Sequence, residues 1–481
     1  MNPFTQNSIQ PSRRDFFKKS SLAAIGLAGG GGVAMAENAT VKKLPRSGKA
    51  KNIIFLVSDG MSQGTLSMAD QLIQMRDDRR SHWMNMYREY PVQRGLMDMA
   101  AADALVTDSA AASSSWGCGT RVPNGRVNVD GDGRPHEPIL QIAKRNGLRT
   151  GLVTTTTVTH ATPAGFAANG PTRNDQDRFA KQYHERGYDV ILGGGKNFFS
   201  PKSRGDDLDL LAAFTKDGYQ LIHDRDSLLA LENGGKKLLG LFQNHSLPYE
   251  IDRLNDSSLL KSVPSLAEMS IAALKALSAS GDGFIVQIEA ARVDHAAHVN
   301  DISGLLFDQI AFDDAVEAAL QFYEQNPDTM VIVTTDHGNA NPGLNYGGGM
   351  GENNLGRVLN FKGSTNNLQR LFRRNAREGI DEIRESIRAV TDFGISKEHA
   401  QMIVDYRKGN WKAPYSQMNN PTGVLGQILA NYTNIGWTGN SHTGDYVELS
   451  AVGPGSEMIQ PFNLNTDMFT LMCKALDLKV D

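Results

Sequence analysis

Four short apolar runs set the terms on which this chain can fold: Asn52–Ser58, Leu148–Val158, Phe284–Ile288 and Met330–Thr335. None alternates apolar with polar residues, so none suits a sheet with one wet face. Runs of this kind mark strands buried on both sides, as in the parallel sheet of an α/β protein. Chemistry follows at each end. Asp59 comes directly after the first run, and His160 and Thr162 after the second. Glu289 closes the third, with Asp294, His295 and His298 just beyond, and Asp336-His337 follows the fourth. Open α/β sheets bind their ligands at the carboxyl ends of the strands.

These residue types suit cations. A buried carboxylate needs a partner, and a metal ion is the simplest one. Asp294 and His298, four apart, share one face of a helix and can grip one ion, with Glu289 left to serve a neighbour. Asp336 and His337 offer an oxygen and a nitrogen from one turn. His160 and Thr162, two apart in extended chain, are expected to point the same way. Singly, each group also fits a helix cap, a salt-bridged carboxylate or a core histidine. Their convergence on one rim of one sheet is what singles them out.

The remaining group is a nucleophile. In Val106-Thr-Asp-Ser-Ala-Ala111, Thr107 or Asp108 can cap a helix whose first turn carries Ser109, and the small residues let a bulky anion approach the free N–H groups. There is no G-x-S-x-G elbow, so a metal ion is the expected activator of the serine. Cys118 and Cys473 form neither a zinc-finger spacing nor a disulfide framework, which leaves His and carboxylates as ligands.

Ser12-Arg13-Arg14-Asp15-Phe16-Phe17, a glycine-rich apolar stretch and Ala34-Met35-Ala36 read as a twin-arginine export signal over 1–36. The apolar stretch is too short for a membrane span, and the expected destination is the periplasm or the medium. A net charge of −4 gives no basic field for nucleic acid. Gly64–Met86 reads as helical, Pro138–Gly147 as a helix closed by glycine, Asp189–Gly195 as a strand, and 200–280 as polar loops with helices. From 349 to 435 the pattern changes to charged helices, including Asn367–Arg388 with Arg370, Arg373 and Arg374 on a solvated face. We read 37–348 as the first part of an α/β core, 349–435 as an insertion or lid, and 436–481 as the return. That return carries the glycine-flanked His442, a strand over Tyr446–Val452 and a closing helix from Thr466 or Asp467.

From about Asn52 to Val452 these residues resemble the alkaline phosphatases. The carrying motifs are Val57-Ser-Asp-Gly-Met61, Val106-Thr-Asp-Ser-Ala-Ala111, His160-Ala-Thr-Pro163, Glu289 with Asp294 and His298, Thr335-Asp-His-Gly338 and His442-Thr-Gly444. The resemblance implies a three-layer α/β/α sandwich with a largely parallel sheet. It further implies a metal-dependent phosphomonoester hydrolase of the EC 3.1.3.1 type, and most often a homodimer. Ser109 would form a phosphoserine. Asp294, His298 and His442 would hold one zinc ion, and Asp59, Asp336 and His337 a second that lowers the Ser109 pKa. Asp59 would also bridge to magnesium with Thr162 and Glu289, and Arg173 would fork onto two phosphate oxygens, oriented by Asp108. Best-known bacterial members carry Asp where this chain has His160, and a lysine where it has His295. A nitrogen at the third site also suits zinc or another transition ion, and looser phosphate retention is expected with it. Phosphodiesterases, phosphonate hydrolases and sulfatases share such a two-metal rim but differ at the nucleophile. A phosphomutase is disfavoured by the export signal, and a non-catalytic binding protein by the completeness of the set.

Overall fold

All four apolar runs become strands, and they lie side by side at the centre of one sheet. The computed structural model describes residues 41–45, 47–232, 234–346 and 352–480; the export signal read at 1–36 lies outside them. The sheet has ten strands: β1 Asn52–Ser58, β2 Gln93–Asp98, β3 Arg149–Thr157, β4 Val190–Gly194, β5 Gln220–Ile222, β6 Leu238–Leu241, β7 Phe284–Ala290, β8 Thr329–Thr334, β9 Val447–Val452 and β10 Phe462–Leu464. Their order is β10-β2-β9-β8-β1-β7-β3-β4-β6-β5. Only β9 runs against the rest, pairing antiparallel with both β8 and β2. The central register is level, Asn52 standing opposite both Phe284 and Thr329, so the carboxyl ends of β1, β7 and β8 form one rim.

The period of two along each strand divides the core into two layers. Ile54 and Leu56 of β1, Val286 and Ile288 of β7 and Val331 and Val333 of β8 pack on one face, against helices Gln63–Asp77, Leu266–Ser278 and Ile302–Gln325. Ile53, Phe55 and Val57, with Ile285, Met330 and Ile332, pack on the other, against helices Ser109–Cys118, Ile139–Arg145, Ala161–Ala167 and Asp467–Ala475. The fold is therefore a three-layer α/β/α sandwich. No helix among the described residues is long and apolar enough to cross a membrane.

Several expectations need correction. The helix read over Gly64–Met86 is two, Gln63–Asp77 and His82–Glu89, because Asp78 takes a left-handed φ of 54° and Ser81 caps the second. Residues 200–280 hold β5 and β6 as well as helices and loops. The charged helix expected over Asn367–Arg388 is a 3-10 turn, Thr365–Phe372, then a non-helical link, then a helix Ile380–Thr391. Arg370 pairs there with Glu378 at 2.6 Å, while Arg373 and Arg374 face solvent. Leu371, Ile383, Ile387, Ile403, Val424 and Ile428 build a hydrophobic cluster of their own in this region. Thr162 is not in extended chain. His160 stands at the N-cap of the Ala161–Ala167 helix and Thr162 lies within it.

The helix bearing Ser109 meets that short helix almost backbone to backbone. A Cβ on Gly117 would come within 1.9 Å of the Gly165 carbonyl oxygen, and one on Gly165 within 2.5 Å of Ser113 Oγ. Gly117→Ala is therefore expected to destabilise the protein by about 1–3 kcal/mol through overpacking. Gly131→Ala, where nothing lies within 4 Å, is expected to change nothing. Thermal unfolding of the two variants beside the parent checks this; equal midpoints would refute the tight approach.

Candidate metal and phosphate site

The level register brings the predicted ligands to one rim. Asp59 follows β1, Glu289 sits near the end of β7, and Asp336 and His337 follow β8. Asp294 and His298 ride on the Arg292–His298 helix just after β7. His442 arrives by a different route. Because β9 is antiparallel, the chain entering it passes along this same rim, and His442-Thr443 pairs with Gly338-Asn339 beside His337.

Three ligand groups result, each with donor atoms within 4.8 Å of one another: Asp294, His298 and His442; Asp59, Asp336 and His337; and Asp59, His160 and Glu289. Thr162 joins the last, its hydroxyl donating to Asp59 Oδ2 at 3.3 Å. Asp59, Glu289 and Asp336 are fully buried and Asp294 nearly so. Burial, then the neighbouring Asp336, Asp294 and Glu289 charges, push the Asp59 carboxyl well above its ordinary range. Burial pushes Glu289 up to about 7. For Asp294, burial works upward but is outweighed by the hydrogen bond from His298 and by the His298, His442 and His337 charges, which hold it well below the usual range. Burial lowers His442 to about 4, helped by His337.

A cation fits these groups, and two observations test the fit. Asp59 Oδ1, Asp336 Oδ2 and Glu289 Oε1 are buried without a hydrogen bond, although such oxygens are rarely left unpaired. The second concerns the histidines. His298 Nδ1 faces the Asn440 carbonyl at 2.9 Å and His442 Nδ1 faces the Thr107 carbonyl at 2.8 Å. A carbonyl only accepts, so both Nδ1 atoms carry protons and both rings turn Nε2 inward. Those two Nε2 atoms lie 3.1 Å apart, with Asp294 Oδ2 3.4 Å from one and Oδ1 3.5 Å from the other. Two ring nitrogens aimed at one point beside a carboxylate make a ready donor set for a cation.

Ser109 opens its helix at the edge of the second group. It is buried, with Oγ 3.3 Å from His337 Nε2. Of the two capping residues offered by the sequence, Asp108 does the work: Oδ1 accepts from the Ala111 N–H at 2.9 Å, and Oδ2 accepts from Arg173 Nη1 at 2.9 Å and from the Gly125 N–H at 3.0 Å. Arg173 Nη2 also donates to His160 Nε2 at 3.2 Å. Burial, then the Arg173 and His295 charges, keep His160 far below its usual range. His295 is held down to about 4 by burial and Arg292, and its ring meets His160 edge to face.

All the residues singled out in the sequence thus meet at one place. Others were missed. Thr154 donates to Glu289 Oε2 at 2.5 Å, Asn339 Nδ2 donates to Asp294 Oδ1 at 2.6 Å, and Arg292 Nη1 donates to His295 Nδ1 at 2.8 Å. Asn339, two residues past His337, could have been suspected from proximity in sequence; Thr154, inside a run of threonines, carries no such signal.

A family model described as alkaline phosphatase matches residues 50–478. Alkaline phosphatase 3 of Bacillus subtilis is 29% identical over 472 residues, spanning 96% of each protein. The repressible alkaline phosphatase of Saccharomyces cerevisiae is 35% identical over 321 residues, 60% of this chain and 55% of that protein. Among solved structures, the alkaline phosphatase of Thermus thermophilus superimposes with a TM-score of 0.82 at 34% identity, covering 91% of this chain and 94% of the other.

If cations neutralise the buried carboxylates, stripping them must weaken the fold. A chelator is expected to lower the melting temperature, and an added divalent cation to restore it. An ion present at 100 times its dissociation constant adds about 2.7 kcal/mol. An identical melting curve with and without chelator, after the ion content is shown to have fallen, would refute the fit.

Proposed function

The chain belongs to the alkaline phosphatase family, a family of phosphomonoester hydrolases, and on that premise we propose that it hydrolyses phosphate monoesters through a phosphoserine at Ser109. The observation that carries the reading is a buried serine at a helix N-terminus, beside His337 and among three groups of cation ligands.

In this reading Asp294, His298 and His442 would hold one zinc ion and Asp59, Asp336 and His337 another, donor sets of N and O that suit zinc. His160 accepts from Arg173 at Nε2, while its Nδ1 is buried without a hydrogen-bond partner. Asp59, Thr162 and Glu289 would hold magnesium at the third site, with His160 beside them as a nitrogen that also suits zinc or another transition ion. When bound, these ions supply Lewis-acid charge at the attacking and leaving oxygens and lower the pKa of the serine.

The residues do the rest. The first turn of the Ser109–Cys118 helix presents N–H groups to a phosphoryl oxygen. Arg173, aimed by Asp108, forks onto two more. His160, kept neutral, holds the guanidinium without competing for the phosphate. Ser109 Oγ gives up its proton and forms a bond to phosphorus as the bond to the alcohol oxygen breaks, and that oxygen takes up a proton and leaves as the alcohol. Water then displaces Oγ from phosphorus, releasing inorganic phosphate and restoring the serine hydroxyl. Further parts of the reading are export to the periplasm or medium by the twin-arginine machinery, a homodimer, and residues 349–435 as an insertion on a core formed by 37–348 and 436–481. No nucleic-acid specificity is part of it.

Hydrolysis of a chromogenic phosphate monoester beside its diester at alkaline pH is the primary test. Fast monoester cleavage is expected, abolished by chelator and reduced by about a thousandfold or more in Ser109→Ala. Preferential diester cleavage would move the enzyme to the phosphodiesterases.

Arg173→Ala is expected to raise both the KM for monoester and the phosphate inhibition constant by about 10- to 100-fold, the worth of a charge-assisted pair of hydrogen bonds. Unchanged phosphate inhibition would remove Arg173 from the phosphate grip.

A further inference from the structure

We infer that Asn124 is a positioning residue that orients both halves of this site, the His442 ligand and the Arg173 grip, through a single peptide group and a single turn; the inference rests on the phosphomonoesterase reading. Nothing in the linear sequence marks it. In the fold, Asn124 Oδ1 accepts from the Asp108 N–H at 2.8 Å and Asn124 Nδ2 donates to the Val106 carbonyl at 2.9 Å. One side-chain amide therefore spans Thr107, gripping the backbone on either side of it.

The Asp108 N–H and the Thr107 C=O belong to the same planar peptide group. The carbonyl end of that group accepts from His442 Nδ1 at 2.8 Å. Planarity leaves no freedom between the two ends, so the Asn124 amide sets the direction of the carbonyl that fixes the His442 tautomer and ring. The next residue reaches the other half. Gly125, at φ 80°, donates its N–H to Asp108 Oδ2 at 3.0 Å and accepts the Arg173 backbone N–H at 2.7 Å. The Asn124 N–H anchors the turn on Asp103 Oδ1 at 3.0 Å.

The chemistry demands an asparagine. The Asn124 amide offers, from one short stem, a carbonyl oxygen to the Asp108 N–H and a separate NH2 donor to the Val106 carbonyl. Aspartate has no donor. It would set a second oxygen against the carbonyl and add charge beside Asp103 and Asp108, so Asn124→Asp is expected to fail as Asn124→Ala does.

The test uses the full chain loaded with zinc and magnesium, compared with Asn124→Ala and Asn124→Asp. Three quantities are read: the rate at which excess chelator strips zinc, followed with a metallochromic dye; KM and kcat for a chromogenic monoester with the phosphate inhibition constant; and the melting temperature. Outer partners of ligand histidines typically matter by 10- to 100-fold in metal affinity or activity. Zinc loss about 10-fold or more faster, with KM and the phosphate constant raised more than kcat is lowered, is the expected result for both variants. A lower melting temperature with stripping rate and KM unchanged would reduce Asn124 to a structural residue and overturn the inference. Stripping is independent of turnover. Should the parent chain cleave no monoester, the functional reading fails, while faster or unchanged zinc loss still decides the role of Asn124.

Discussion

Four carboxylates out of water at the end of one sheet, Asp59, Glu289, Asp294 and Asp336, are the constraint on which the rest of this structure depends. Placing like charges in a dry interior costs several kcal/mol for each unpaired ion, and their mutual repulsion adds to it. The fold concentrates them all the same. Parallel strands in level register deliver Asp59, Glu289 and Asp336 to one rim, and the inward-facing Nε2 atoms of His298 and His442 share the space with Asp294 on the following helix. Such an arrangement holds together when positive ions occupy it, so the architecture and the metal chemistry are two descriptions of one requirement.

Ser109 is placed by packing rather than by charge. Every residue of the Ser109–Cys118 helix is buried, and its alanines, serines and Gly117 let it lie against the Ala161–Ala167 helix closely enough for backbone atoms to meet. The first helix carries Ser109 and the second carries Thr162, with His160 at its cap. A rigid seam between two helices thus sets the distance between the serine and the ligands around Asp59. Asp108 ties the same seam to Arg173, serving at once as helix cap and as the partner of that guanidinium.

Much of this was legible in the chain. The four central strands are apolar on both faces, a pattern that only a covered sheet tolerates, and a carboxylate or histidine at each carboxyl end marks the rim. What escaped was weakly patterned. The strands β2 and β10 at one end of the sheet, Gln-Arg-Gly-Leu-Met-Asp and Phe-Asn-Leu, have no periodicity and become strands by pairing with a sheet already formed. Thr162 was expected in extended chain because His160 and Thr162 are two apart. The helix starting at Ala161 instead turns the threonine hydroxyl onto Asp59. Arg370, Arg373 and Arg374 read as one helical face, but the helix begins only at Ile380.

The sequence by itself determined which residues are the candidates for the chemistry and which end of which strand holds them. Side-chain type and the period of burial are local properties, written wherever a strand ends. Tertiary structure alone decided how those residues are held: that antiparallel β9 brings His442 back to the rim, that Thr154 and Asn339 support the carboxylates, and that Asn124 grips the peptide group on which His442 rests. These contacts join positions separated in the chain through hydrogen bonds that leave no mark in the linear pattern. Only the folded geometry selects among them.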